Sequence, residues 1–162
     1  MIVPCRELMP VICVALERGQ RVRLTVNGSS MLPFIRNGDV VEFEPMRSMP
    51  TLGDILLVQY PSADRYVVHR VVGIEGDAFF LRGDAQKHRE GPFTRRDVLG
   101  KLVALYRNGR RRALDCGPWR FAGVIWTRYR PLGYWLLWLA VRIRAGGRLV
   151  LRRLQQASMF RV

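Results

Sequence analysis

The stretch RVRLTVNG at residues 21–28 decides the class of fold, because apolar and polar side chains alternate along it. Val22, Leu24 and Val26 lie on one side of an extended chain, and the residues between them are polar. A period of two is typical of a strand with one buried face. Asn27-Gly28 favours a turn directly afterwards. The sequence therefore predicts a half-buried strand followed by a tight turn.

Short β-rich runs continue along the chain and set its architecture. They lie at residues 40–43, 55–60, 66–72, 79–81, 98–106 and 111–114. Gly, Pro, Asn and Asp separate them at short intervals, as they do between the strands of all-β domains. We therefore predict a mainly β fold, either a β-sandwich or a partly open barrel.

Helices are predicted at both ends of the chain. Apolar residues share one helical face at residues 6–18, which predicts a short amphipathic helix. After Cys116 the composition changes, and we expect one helix at 118–129 and another from Pro131. The predicted organisation is an N-terminal helix (1–20), a β domain (21–116) and a helical tail (117–162).

Positive charge is concentrated in the tail. The net charge is +14, but residues 116–162 hold nine Arg and no Asp or Glu. The first 115 residues carry 18 basic and 13 acidic groups. The hydrophobic fraction of 49% is enough for a folded core, which argues against disorder.

The tail also holds all four tryptophans, and aromatic rings with Arg favour an anionic membrane surface. As a helix, residues 132–143 would extend roughly 18 Å, against about 30 Å of hydrocarbon, so the segment should lie in the interface. The alternative is that residues 118–162 cover an open edge of the β domain. Nucleic acid is a less favoured partner, because no helix-turn-helix pattern precedes residue 21.

The cysteines give no sign of a cofactor. Cys5, Cys13 and Cys116 follow neither a metal-ligand nor a disulfide spacing. Small buried thiols are the favoured interpretation. We expect neither a metal site nor a cofactor.

Ser30 and His69 are candidate catalytic residues. A serine hydroxyl becomes a nucleophile only when a neighbouring base takes its proton, and imidazole titrates near neutrality. His69 lies in the apolar strand pattern at 66–72, whereas His88 lies in a charged loop. A base must be held rigidly, so the strand histidine is favoured. On its own, a histidine in a strand is more often structural.

Six short motifs occur in an order that is typical of one peptidase group. They are Gly28-Ser29-Ser30-Met31-Leu32-Pro33, Gly38-Asp39, Gly53-Asp54, His69-Arg70, Arg82-Gly83-Asp84 and Gly100-Lys101. Across about residues 21–105, this pattern resembles the signal peptidase I and LexA-type self-cleaving serine peptidases of the S24/S26 group. The resemblance implies their β fold, a serine nucleophile and no metal.

That resemblance also implies which residues act. His69-Arg70 is similar to the histidine branch of the group, the endoplasmic-reticulum and archaeal type, so Ser30 and His69 would form the catalytic pair. Asp84 matches the Gly-Asp after the base strand, and Glu90 stands where that branch has a second acid. Either carboxylate could orient the imidazole. The Ser30 amide would stabilise the oxyanion.

The function implied is serine endopeptidase activity on a leader or signal segment. The alternative is a non-catalytic module with the same fold that binds a membrane surface or an anionic partner. Signal peptidases normally carry a membrane anchor before the serine, and none is evident here. We therefore expect a cytoplasmic or peripherally membrane-associated protein.

Overall fold

The computed structural model describes residues 5–60 and 65–129. Two α-helices flank the strands: α1 is Cys5–Glu17 and α2 is Gly117–Arg128. The strands are β1 (Val22–Thr25), β2 (Val40–Glu44), β3 (Ile55–Gln59), β4 (Tyr66–Glu75), β5 (Ala78–Arg82), β6 (Glu90–Phe93), β7 (Val98–Arg107) and β8 (Arg110–Ala113). The predicted mainly β fold with a short N-terminal helix is confirmed.

The strands form one antiparallel sheet that is centred on β7. The order along the sheet is β1-β2-β7-β3-β4-β5-β6, and β8 also pairs with β7. Residues 101–106 of β7 pair with β2 on one edge, while its other edge pairs first with β3 and then with β8. The outer strands β4, β5 and β6 follow as a meander.

The sheet buries apolar side chains on both faces. Ile55 and Leu57 belong to one hydrophobic cluster, and their neighbours Leu56 and Val58 belong to a second cluster. Successive side chains of a strand point to opposite faces, so the two clusters lie on either side of β3. The first cluster also receives the buried face of α1 through Met9, Ile12 and Leu16. A sheet covered on both sides explains why residues 55–58 read as one continuous apolar run.

The prediction missed one strand. β6 contains Gly91-Pro92, a pair that reads as a turn in the sequence. Proline is tolerated here because β6 is the edge strand of the sheet and pairs only with β5 among the described residues. Residue 90 was therefore expected in a loop but stands at the start of a strand.

The helix predicted at 118–129 is present as α2. It lies against the strands through two hydrogen bonds, from Trp126 Nε1 to the Asp84 carbonyl (3.0 Å) and from Arg82 to the Thr127 carbonyl (3.3 Å). The helix expected from Pro131 lies outside the described residues. Within the ranges 5–60 and 65–129, no helix is long and apolar enough to cross a bilayer.

Candidate active site

His69 and Glu90 meet on one face of the sheet. The registers place Val71 opposite Leu81, and Leu81 opposite Glu90. His69 lies two residues before Val71, so its side chain points to the same face as the side chain of Glu90. His69 Nδ1 lies 2.9 Å from Glu90 Oε2, and the imidazole is only 3% exposed. The strand pairing therefore gives the imidazole a fixed carboxylate partner.

Two further side chains surround Glu90. Arg65 lies 3.5 Å from Glu90 Oε1, and its guanidinium also lies 4.6 Å from the centre of the Tyr60 ring. Burial and a hydrogen bond to Glu90 raise the pKa of Tyr60 to about 12. Tyr60 thus remains protonated at neutral pH and can donate to the carboxylate that holds His69.

Burial determines the protonation of His69. It lowers the pKa of the imidazole below its usual value, and the nearby Glu90 offsets only part of that effect. The neutral ring is therefore the prevailing form at pH 7. Because a carboxylate only accepts hydrogen bonds, Nδ1 carries the proton and Nε2 keeps its lone pair. This tautomer can take a proton from a hydroxyl group.

Asp84 has a different partner. Arg70 Nε donates to Asp84 Oδ1 at 2.8 Å, and its Nη2 donates to Oδ2 at 2.7 Å. Arg70 Nη1 also donates to the Gly53 carbonyl at 3.0 Å. Both side chains are almost completely buried, so this is a paired and hydrogen-bonded internal charge. From the sequence, either acid could orient the imidazole. In the structure, Glu90 contacts His69 and Asp84 contacts Arg70.

Ser30 lies in a turn that is fixed against the segment after β5. Its carbonyl accepts a hydrogen bond from the Ala85 amide at 2.8 Å. Gly83 is required beside it, because a Cβ at that position would lie 2.7 Å from the Ser30 carbonyl oxygen. Met31, the next residue, is buried in the first hydrophobic cluster. The turn thus has a polar and an apolar anchor, while Ser30 itself is half-buried.

The segments that carry Ser30 and His69 both adjoin the buried ion pair. Ala85 holds Ser30 and directly follows Asp84, while Arg70 holds Asp84 and directly follows His69. Among the described residues, no hydrogen bond joins the Ser30 hydroxyl to His69. Catalytic hydrogen bonds are often long in unliganded enzymes and shorten when substrate binds.

The backbone around Ser30 leaves a donor for an oxyanion. In the part of the chain that the structure describes, the Ser30 amide makes no hydrogen bond. Gly28, two residues earlier, has no hydroxyl group, and its amide donates to Asn37 Oδ1 at 3.1 Å. Ser29 is exposed. An oxyanion next to Ser30 would therefore depend on backbone donors.

Helix α2 covers the Arg70–Asp84 pair. Gly123 faces the guanidinium so closely that a Cβ there would lie 2.3 Å from Arg70 Nη1. Trp126 donates to the Asp84 carbonyl and packs edge-on against Phe34, with ring centres 5.9 Å apart. Phe34 belongs to the same turn as Ser30 and also lies 5.0 Å from the Arg70 guanidinium. The helix therefore packs on the ion pair and on Phe34 of the Ser30 turn.

Sequence reasoning gave no role to these supporting residues. Arg70 was noted only as half of a His-Arg motif, although a charged residue inside an apolar strand is itself a sign of a buried ion pair. Trp126 was assigned to a membrane-facing tail. Asp39 and Asp54, which the sequence showed as parts of Gly-Asp motifs, cap turns by accepting hydrogen bonds from the amides of Arg36 and Thr51, respectively.

Among the described residues, neither lysine pairs with His69 or Glu90, and no metal site is formed there. Lys101 Nζ lies 3.0 Å from Asp54 Oδ1, and Lys87 is exposed. Across the described ranges, no cluster of three His, Cys, Asp or Glu side chains could hold a metal ion. The only close imidazole–carboxylate pair in the described residues is His69 with Glu90.

The mainly antiparallel sheet, with the Ser30 turn anchored against the segment after β5, fits a peptidase-type fold. A family model described as Peptidase S24-like matches residues 6–103. The chain therefore belongs to the Peptidase S24-like family. No curated protein and no solved structure shows a significant match. The matched segment ends before α2, so the helix that covers the ion pair lies beyond it.

Proposed function

We propose that this protein is a serine endopeptidase of the signal peptidase type, with Ser30 as nucleophile and His69 as base. The observation that carries the proposal is the hydrogen bond between the buried His69 imidazole and Glu90. A buried, neutral histidine whose Nδ1 proton is held by a carboxylate is the arrangement that serine hydrolases use to activate a hydroxyl group. Family membership supports the peptidase class.

The reaction follows from these roles. His69 Nε2 takes the Ser30 proton as the oxygen attacks the scissile carbonyl carbon, and the Ser30 amide donates to the oxyanion. His69 then gives the proton to the leaving amine as the peptide bond breaks. Water then attacks the carbonyl carbon of the resulting ester, the bond between that carbon and Ser30 Oγ breaks to release the carboxylic acid, and the proton from water passes through His69 to Ser30 Oγ.

Glu90 is the acid that we assign to the orienting role. It contacts the imidazole directly, whereas both oxygens of Asp84 accept from Arg70. Asp84 is assigned a structural role, which is to keep Arg70 and the Ala85 amide in place beneath the Ser30 turn. We therefore expect the loss of Glu90 and the loss of Asp84 to have different consequences.

The proposed substrate is a leader or signal segment with small residues just before the cleaved bond. The support is the resemblance of the ordered motifs, from Gly28 to Lys101, to those of signal peptidases. Leader segments reach their peptidases as extended chains, and an extended chain presents its scissile bond to a nucleophile on a surface turn. Ser30, half-buried on such a turn, suits that kind of substrate.

The test compares two adjacent serines. The full chain, Ser30→Ala and Ser29→Ala are incubated with leader-type peptides that carry small residues before the scissile bond, and the products are identified by mass spectrometry. Ser30→Ala should lower the cleavage rate by about a thousandfold or more, while Ser29→Ala stays within a few-fold of the wild type. Cleavage by Ser30→Ala at the wild-type rate would refute the assignment. No cleavage by the wild type would favour the non-catalytic module.

A further inference from the structure

A small cleft lies beside the Ser30 turn and has an unusual lining. It encloses about 250 Å³ between the turn, β7, β8 and the start of α2. Its apolar floor includes Phe34, Leu114 and Trp119, and its rim carries Arg36, Arg107 and Arg112. No Asp or Glu lines it among the described residues. An apolar floor under a cationic rim suits a short apolar stem that ends in an anion.

The three arginines of the rim differ in how they are paired. Arg107 is neutralised, because its Nε donates to Asp39 Oδ1 at 2.7 Å and its Nη2 donates to the Phe34 carbonyl at 3.0 Å. Arg36 and Arg112 form no ion pair with any carboxylate of the described residues. The positive charge of Arg112 is thus uncompensated, whereas Arg36, without forming an ion pair, helps to lower the pKa of the Asp39 carboxyl.

Arg112 is held in a defined orientation. Its guanidinium lies 5.1 Å from the centre of the Trp119 ring, and the residue is half-buried. A guanidinium that rests on an aromatic face keeps its edge free for a planar, two-point hydrogen bond to a carboxylate. Less side-chain entropy is lost on binding when the donor is already placed.

The position and size of the cleft identify its occupant. Pro33 and Phe34 line it and belong to the same turn as Ser30. A peptide held at Ser30 would pass the cleft within a few residues of the scissile bond. The volume is below the roughly 300–1,000 Å³ of sites that enclose whole small molecules, so it suits a single side chain.

We propose that the cleft is a specificity subsite in which Arg36 and Arg112 bind the carboxylate of a Glu or Asp in the peptide substrate. The inference rests on the proposed function, because it places the peptide relative to Ser30. The subsite would add a preference for an acidic residue in the substrate to the preference for small residues just before the cleaved bond. The apolar floor contacts the methylene groups of the acidic side chain. Because Phe34 belongs both to this floor and to the Ser30 turn, the bound side chain lies next to that turn.

The experiment scans one glutamate through leader-type peptides, with a Gln peptide as partner at every position. Two quantities are measured with full-length protein: the cleavage rate by the wild type, and binding to Ser30→Ala by fluorescence anisotropy. At one or two positions, the Glu peptide should be preferred over its Gln partner by about three- to tenfold. The double variant Arg36→Gln/Arg112→Gln should abolish that preference.

The matched control is Arg111→Gln. Arg111 is the neighbour of Arg112 on β8, points to the other face of the strand and does not line the cleft. The Arg111→Gln variant loses one positive charge but should keep the preference for Glu over Gln at the same peptide positions. Equal binding of Glu and Gln peptides at every position would overturn the proposal. So would a preference that falls equally in Arg111→Gln and Arg112→Gln, since that result indicates general charge attraction.

The two readouts separate this proposal from the proposed function. If Ser30 is not a nucleophile, the wild type leaves every peptide intact, yet binding to Ser30→Ala still reports whether the cleft prefers Glu. If the enzyme is active but the cleft is not a subsite, cleavage proceeds with no preference for an acidic residue.

Discussion

At the scale of single residues, the proposed chemistry depends on two opposing influences on the pKa of the His69 imidazole. Burial lowers the pKa of His69, and Glu90 raises it. The first influence is the larger one, so the ring stays neutral at pH 7 and can act as a base. The same carboxylate fixes which nitrogen carries the proton. In the proposed mechanism, Glu90 would orient the imidazole without keeping it protonated.

Replacing Glu90 with Gln should change the pH dependence of kcat/KM. In the wild type, activity should rise with pH as His69 loses its proton, with a midpoint below the usual histidine value of about 6.5. Gln no longer raises the pKa of His69, so the midpoint should move to lower pH. The rate on the plateau should fall roughly 10- to 1,000-fold, because the tautomer is no longer enforced.

The control for this measurement is Glu75→Gln. Glu75 pairs with Arg89 at the surface, so its loss changes the net charge equally but does not touch His69. It should leave the pH profile in place. An unchanged midpoint in Glu90→Gln, or a midpoint that moves to higher pH, would contradict the role of Glu90.

The sequence suggested Ser30 and His69 as catalytic residues, an assignment that stays a prediction, but it did not choose between Glu90 and Asp84. Both predictions rest on local features, a Gly-preceded turn and an apolar strand pattern. The partner of each acid depends on strand alternation, since His69 and Arg70 are neighbours whose side chains point to opposite faces of β4. Their partners come from separate segments, whose positions follow from the pairing of β4, β5 and β6.

At the scale of secondary structure elements, α2 supports the site from outside the family segment. The peptidase match ends at residue 103, whereas Gly123 and Trp126 contact the Arg70–Asp84 pair. Arg70 has little freedom to move away from α2, because Asp84 and the Gly53 carbonyl hold its guanidinium. A larger residue at 123 must therefore displace the helix or break the ion pair.

Replacing Gly123 with Ala should destabilise the protein. In an ordinary helix, this change stabilises the fold by up to about 1 kcal/mol. Here the new Cβ would meet Arg70 Nη1 at 2.3 Å. We expect a loss of roughly 1–3 kcal/mol in the free energy of unfolding, measured by denaturant titration, together with slower peptide cleavage.

Gly73→Ala is the matched control for Gly123→Ala. A Cβ at residue 73 would find its nearest neighbour, Phe80 Cδ2, at an ordinary 3.7 Å. This variant should be close to neutral. Stabilisation by Gly123→Ala would show that α2 does not press on the ion pair.

Elements were predicted where their pattern is regular and missed where it is not. Seven strands and both described helices follow from periodicity and turn residues. β6 was not recognised, because Gly91-Pro92 conceals it and its stability comes from pairing with β5. The missed strand is the one that begins with Glu90, so the site could not be completed from the sequence.

At the scale of the whole molecule, positive charge is distributed unevenly. Several arginines of the sheet are balanced by acids, as in Arg23 with Glu42 and Arg107 with Asp39. The acid-free tail after residue 115 accounts for nine of the 14 net positive charges, and the remaining five belong to the first 115 residues. Contact of residues 118–162 with an anionic membrane stays a prediction, since positions 130–162 lie outside the described residues.

The mainly β class could be predicted from alternation alone, but the order of the strands could not. β7 pairs with three strands that are far from one another in the sequence. Such strand pairings depend on how the whole sheet buries its two faces, and the local sequence pattern of a single strand does not show this. The ordered motifs predicted the peptidase group, because each is a short local signal.

The central claim is that His69 activates Ser30, and acyl-enzyme formation tests it most directly. The full chain is mixed with the p-nitrophenyl ester of a leader-type peptide, quenched in acid, and its adduct is mapped by mass spectrometry. We expect an acyl group on Ser30 that forms at least about a hundredfold more slowly in His69→Gln. An adduct that is absent from Ser30, or that forms equally fast without the imidazole, would contradict it.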